Sequence, residues 1–151
     1  MNVSGEFTTA TPVADLRALG SKPDMLERVS TLRDVRSGAE GVVHAVFTPV
    51  IALGQIPLAT TITTVEENET GARLRVVGRR GTQLVDVDLR MSFTSTADGA
   101  ATVNWQADLV VRGNAASVGQ RVARDLATRA IGSVLAEAAQ VAGSAVADVH
   151  L

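Results

Sequence analysis

Residues 117–141 repeat their apolar positions at helical spacing for about seven turns, and the centre of the resulting inward stripe is built mostly from alanine. At about 100° per residue, Ala123, Ala127, Ala130, Val134, Ala138 and Val141 fall on one side, and Arg121, Arg124, Asp125, Thr128 and Arg129 on the other. Leu126, Ile131 and Leu135 stand on the margins of the stripe. Two starts are open to this helix, one with Asn114 as N-cap and one with Ser117 and Gln120 as a capping box. A helix laid directly on a sheet normally fills the gap with Leu, Ile or Phe, because protein interiors are close-packed and empty volume is costly. A methyl-lined stripe leaves two solutions. Either the helix approaches its sheet very closely, or it roofs a cavity that something else fills. In the second case Ala127 and Ala130 stand apart from the sheet residues Leu89, Met91 and Trp105, and the chain binds an apolar ligand.

The rest of the chain supplies the sheet. Residues 3–9 read as a first strand that gives way at Thr11 and Pro12 to a short helix, with Thr11 as N-cap, Pro12 at its first position and Gly20 past its end. A second short helix follows, capped by Ser21, with Pro23 and Asp24 in its first turn and Met25, Leu26 and Val29 as apolar contacts. From Thr31 onward the period changes to two. Residues 85–93 are apolar at every odd position, from Val85 to Phe93, and polar at every even one. Residues 103–109 repeat that arrangement and join the previous strand through a turn at Ala97, Asp98 and Gly99, which makes a hairpin. Residues 73–76 alternate likewise between glycine-bearing turns, and Leu58, Thr60, Ile62 and Thr64 share one face of an earlier strand over residues 56–66. Residues 41–48 form a strand whose register stays open, since Val42, His44 and Val46 alternate with Val43, Ala45 and Phe47 and both sets are largely apolar.

The order is strand, two short helices, about six strands joined by short turns, and one long helix. Short turns make neighbouring strands antiparallel, and clean alternation leaves one sheet face in water. The other face needs a cover, and the C-terminal helix alone is long enough. The expected fold is therefore α+β, a curved antiparallel sheet of about seven strands around a long C-terminal helix. A single domain over residues 1–143 followed by a flexible tail at 144–151 is the expected organisation.

Composition narrows the partners. A net charge of −2 gives no basic footprint for nucleic acid. Phe7, Phe47, Phe93 and Trp105 are the whole aromatic content, so base-stacking recognition is disfavoured too. The absence of cysteine removes disulfides, thiolate nucleophiles and thiolate metal sites together. Every apolar run is interrupted before the ~20 residues needed to span a bilayer, and the N-terminal residues lack a secretory pattern, so a cytoplasmic protein with at most peripheral membrane contact is expected.

Three stretches carry a resemblance to a known family: residues 1–7 (MNVSGEF), 47–57 (FTPVIALGQIP) and 111–121 (VRGNAASVGQR). They resemble the G-type accessory proteins of carbon monoxide dehydrogenase, a family within the START-like (polyketide cyclase, Bet v 1, SRPBCC) helix-grip superfamily. Members usually carry a Trp in the first helix and a Pro-Gly-Cys segment after the second, where this chain has Leu16 and Arg28, Val29 and Ser30. Some members also carry an extended C-terminal tail linked to membrane association, which this chain is expected to lack. The resemblance implies a helix-grip fold and a non-enzymatic accessory role beside a molybdenum-hydroxylase-type oxidoreductase, with a hydrophobic small molecule, quinone-like or lipid, in the cavity.

The candidate ligand wall is drawn from the inward faces of sheet and helix: Thr60, Ile62, Leu74 and Val76; Val87, Leu89 and Met91; Trp105 and Ala107; and Ala123, Ala127, Ala130 and Val134. Trp105 brings an indole N–H that needs an acceptor when buried, and Met91 an adaptable thioether. No catalytic residue, metal ligand or cofactor is expected. A lone strand histidine such as His44 needs an orienting partner to act as a base, Asp86 and Asp88 point to the wet face, and Gly78 and Gly81 suit a hairpin turn around Arg79 and Arg80. Glu137, at the edge of the helix stripe, needs a partner if it is buried. Two rival readings stay open: a cyclase-like or hydrolase enzyme in the same cavity, for which Thr60, Thr64, Ser133 and Glu137 are the inward polar candidates, and a ligand-free protein-interaction module.

Overall fold

The computed structural model describes residues 1–17, 23–48, 50–51, 54–55, 57–113 and 120–149. Its elements, in order, are β1 (Asn2–Thr9), α1 (Val13–Arg17), α2 (Pro23–Leu26), β2 (Leu32–Ser37), β3 (Val42–Phe47), β4 (Val50–Ile51), β5 (Gly54–Gln55), β6 (Leu58–Asn68), β7 (Gly71–Arg80), β8 (Gln83–Ser95), β9 (Ala101–Arg112) and α3 (Gln120–Val149). Seven strands form one antiparallel sheet in the order β1-β9-β8-β7-β6-β3-β2, and β4 pairs with β5 in a separate small hairpin. β1 and β2 therefore occupy opposite edges, and the segment carrying α1 and α2 crosses from one edge to the other at one end of the sheet.

The alternation of the central strands sets which face is covered. In β8, Val87, Leu89 and Phe93 are buried while Arg90 and Ser92 are exposed. In β9, Ala101, Val103, Trp105, Ala107 and Leu109 are buried between exposed Asn104, Gln106 and Asp108. The register of β3, open from the sequence, is settled by Val43 and Ala45, which are buried, whereas His44 is half-buried and its Nδ1 lies 3.2 Å from Oγ1 of its cross-strand neighbour Thr61. Bulges interrupt β2 between Arg33 and Arg36 and β6 between Thr64 and Glu66, where they bend the strands. Asp34 within the first bulge takes φ 53°, a left-handed conformation that aspartate tolerates better than bulky residues do.

Charge ladders line the wet face. Arg73 donates twice to Asp88, from Nε at 3.0 Å and from Nη2 at 2.8 Å, and Arg75 does the same to Asp86 at 3.2 and 2.8 Å. These hydrogen bonds hold both carboxyls below the usual carboxylate range.

α3 crosses the covered face. Arg121 and Arg124 are exposed, as the periodicity requires, and half-buried Thr128 bonds back to the Arg124 carbonyl at 2.8 Å. The helix extends past residue 141 to Val149, so residues 144–149, expected as a flexible tail, continue it. The expected caps at Asn114 and Ser117, like Ser21 and His150, lie outside the described residues.

Two bonds fasten α3 to the crossing segment. Thr11, read as a helix cap, instead donates its buried hydroxyl to the Ala139 carbonyl at 2.6 Å. The approach depends on Gly143, where a Cβ would stand 2.6 Å from that hydroxyl oxygen. Glu137 accepts from the Ser30 amide at 2.7 Å and from the Ser30 hydroxyl at 2.9 Å, which supplies the partner its half-buried position calls for.

Candidate functional site

Between the sheet and the middle turns of α3 lies a half-open cavity of about 190 Å³. Thr60, Ile62 and Thr64 of β6 form one wall, and Leu74 and Val76 of β7 and Val87, Leu89 and Met91 of β8 form the floor. Ile131, Val134, Leu135, Ala138 and Ala139 form the helical side. Leu16 and Arg17 of α1, Leu26 of α2 and Leu32 of β2 close the end where the crossing segment passes. The lining is apolar because it is the sum of the inward positions of period-two strands and a period-3.6 helix, which converge here without meeting.

Of the residues drawn from the sequence, Thr60, Ile62, Leu74, Val76, Val87, Leu89, Met91 and Val134 border this space. Trp105, Ala107 and Ala127 lie beside it in a packed cluster with Val3, Val87, Leu89 and Leu109, and Ala123 and Ala130 are half-buried further along the same helix. The expected stand-off of Ala127 from Leu89 and Trp105 is therefore corrected: they pack in one cluster. The physical reason is the indole. A Cβ on Gly5 would stand 2.7 Å from three atoms of the Trp105 ring, and one on Gly132 of α3 would stand 3.6 Å from it. The ring thus fills the layer between β1 and α3, and the adjacent helix residues must be small. Both solutions for the alanine stripe occur, at different points along it. Near Trp105 the helix is closely packed, and from Ile131 to Ala139 it borders open space.

Ile131 and Leu135, read as stripe margins, are thus cavity residues, as is Leu16, which stands where family members usually carry Trp. Polar groups on the wall are few. The Thr60 hydroxyl donates to the Leu58 carbonyl at 2.9 Å and is satisfied. Thr64 Oγ1 and Arg17 Nε are shielded from solvent and have no hydrogen-bond partner. Glu67, an exposed residue, also borders the cavity and marks a side on which it meets solvent. Of the other polar candidates, Ser133 is exposed and Glu137 is engaged by Ser30. Among the described residues, no group of three His, Cys, Asp or Glu side chains is placed to hold a metal ion, and no helix is long and apolar enough to cross a membrane.

Residues 5–143 match the model of the CoxG family, the G-type component of carbon monoxide dehydrogenase. The chain belongs to the CoxG family. Its fold is the START-like helix grip, shared with solved structures at low sequence identity. A conserved protein from Geobacillus kaustophilus superposes with a TM-score of 0.82 at 16% identity, over 95% of this chain and 96% of that one. A START superfamily protein from Mycobacterium smegmatis gives 0.71 at 12% identity, over 96% and 98%. Ara h 8.0201 gives 0.62 at 14% identity, over 93% and 97%. No curated protein sequence matches the chain.

Proposed function

We propose that this CoxG-family chain is a non-enzymatic accessory protein that holds the apolar part of a quinone-like or lipid molecule between its sheet and α3, in the service of a carbon monoxide dehydrogenase or related molybdenum-hydroxylase-type enzyme. The observation that carries the reading is the cavity itself: a preformed, nearly all-apolar space of about 190 Å³ inside a fold that otherwise packs closely. The family description supports the accessory role, and the wall supports binding over catalysis, since Arg17 and Glu67 are its titratable residues among those described and no acid–base pair converges inside.

Size sets what is held. A dry cavity of roughly 150 Å³ accommodates benzene, so this one accepts a ligand portion of on the order of eight to ten heavy atoms, with any longer body passing outside. At ~0.8 kcal/mol per methylene such a portion gains about 6–8 kcal/mol, and an association cost of at least ~4 kcal/mol leaves an affinity near millimolar from apolar burial alone. Weak holding suits a carrier that must surrender its load, and any tighter binding has to come from polar anchoring.

Native mass spectrometry and organic extraction of freshly purified protein test the reading directly. An apolar molecule bound at near one per chain is the expected result, with displacement of a neutral fluorescent probe, N-phenyl-1-naphthylamine, by that extract. Protein that carries nothing and binds no apolar probe contradicts it.

A further inference from the structure

We infer that the cavity selects an apolar molecule bearing a carboxylate, held by Arg17 and Thr64. The inference rests on the apolar-ligand reading above and specifies its chemistry. Two polar atoms on an otherwise hydrocarbon wall lack partners, Nε of Arg17 and Oγ1 of Thr64. Leaving buried donors unpaired is costly, so a native structure that leaves a pair of them at one cavity has a use for them or a missing partner. Both are donors, an N–H and an O–H, and a modest side-chain rotation turns each toward the enclosed space. What they call for is an acceptor oxygen with more than one lone pair.

Charge chooses among acceptors. Arg17 is the cationic residue of the wall among those described. Its guanidinium matches a carboxylate in both charge and fork geometry, whereas a neutral carbonyl satisfies the hydrogen bond and leaves the charge uncompensated. Glu67 borders the same cavity, but it is exposed and its charge is screened by water. α1 delivers Arg17 from the crossing segment and β6 delivers Thr64 from the sheet, so the head group binds where the two parts of the molecule meet while the apolar body lies toward Leu89 and Leu135.

The test compares two probes of about ten heavy atoms, octanoate and 2-nonanone, by displacement of N-phenyl-1-naphthylamine from the parent protein and from Arg17→Met and Thr64→Val. Octanoate should bind the parent at least tenfold more tightly than 2-nonanone. Arg17→Met, which keeps the apolar stem, should weaken octanoate tenfold or more and change 2-nonanone by less than twofold, and Thr64→Val should weaken octanoate by a smaller factor. Equal affinity of the parent for the two probes, or an octanoate affinity untouched by Arg17→Met, overturns the carboxylate assignment while leaving an apolar-ligand cavity in place. Failure of the parent to bind the fluorescent probe or either competitor overturns both. Should Arg17→Met fail to fold, the two-probe comparison on the parent and on Thr64→Val decides the matter.

Discussion

Trp105 gives two substitutions of opposite sign around one side chain. A Cβ at Gly5 would lie 2.7 Å from Cε2, Cζ2 and Nε1 of the indole, closer than any ordinary contact, and the ring cannot retreat because α3 stands behind it at Gly132. Gly5→Ala therefore overpacks a site that is 3% exposed. Overpacking costs about 1–3 kcal/mol, and removing a strand glycine returns about 0.5–1 kcal/mol of backbone entropy. The net loss is about 1–2 kcal/mol, which for a domain of this size lowers Tm by about 2–8 °C. At Gly132 the added Cβ meets the ring at 3.6 Å, an ordinary contact, so Gly132→Ala keeps the packing and gains helix propensity. Its Tm should rise by about 1–4 °C. Thermal melts followed by far-UV circular dichroism read both changes. Emission from Trp105, the single tryptophan, reports whether the ring has shifted. A Gly5→Ala protein as stable as its parent, or a destabilised Gly132→Ala protein, would refute the account in which the indole sets the spacing between β1 and α3 and so explains the small residues facing it.

Phenylalanine placed along α3 should separate the two regimes of its inner stripe: Ala127→Phe, in the Trp105 cluster, loses about 1–3 kcal/mol in a melt, whereas Ala138→Phe, on the cavity wall, costs less and abolishes binding of an apolar probe. Glu137→Ala removes both bonds to Ser30 and should cost about 1–2 kcal/mol by urea denaturation, and Glu137→Gln less, because an amide oxygen still accepts one of them. Because Asp86 and Asp88 titrate below the ordinary carboxylate range when folded, their ion pairs contribute stability that is present above that range and lost as pH falls through it. An Asp86→Asn, Asp88→Asn double variant should show a shallower loss of Tm on acidification than its parent, and parallel acid limbs would contradict the assignment.

How much of this the sequence carries depends on whether a feature is periodic. The strands β8 and β9 and the exposure of Arg121 and Arg124 follow from periods of two and 3.6, which backbone geometry imposes on any sequence that folds this way. Angular position on α3 is equally legible, and it separates Glu137 from the stripe. Position along the axis is not. Nothing in the repeat of Ala123, Ala127, Ala130, Val134 and Ala138 says where the sheet recedes from the helix, because that depends on how far Trp105 reaches across from β9. β3 leaves its register open because both its faces are apolar. Arg17 escapes a sequence reading altogether, since a single arginine at the end of a five-residue helix looks like a solvated terminus until the fold brings it to the same cavity as Thr64.

The two bonds that fasten α3 to the crossing segment carry a consequence for the order in which the molecule assembles. Arg73 and Asp88 are separated by 15 residues, so the hairpins of the sheet close over short spans, but Ser30 and Glu137 are 107 residues apart and Thr11 and Ala139 are 128 apart. Closing the longer loops costs about 2 kcal/mol more in chain entropy. The sheet should thus form before the helix settles, and the enclosed space comes into being only at that last step. The reverse holds in the native state: undocking α3 breaks contacts of large sequence separation and leaves the strand ladders whole, a local opening well below the free energy of global unfolding. A bound molecule can then enter or leave through an excursion of one helix, and amides of α3 should exchange with deuterium sooner than those of β8, slowing when the space is occupied.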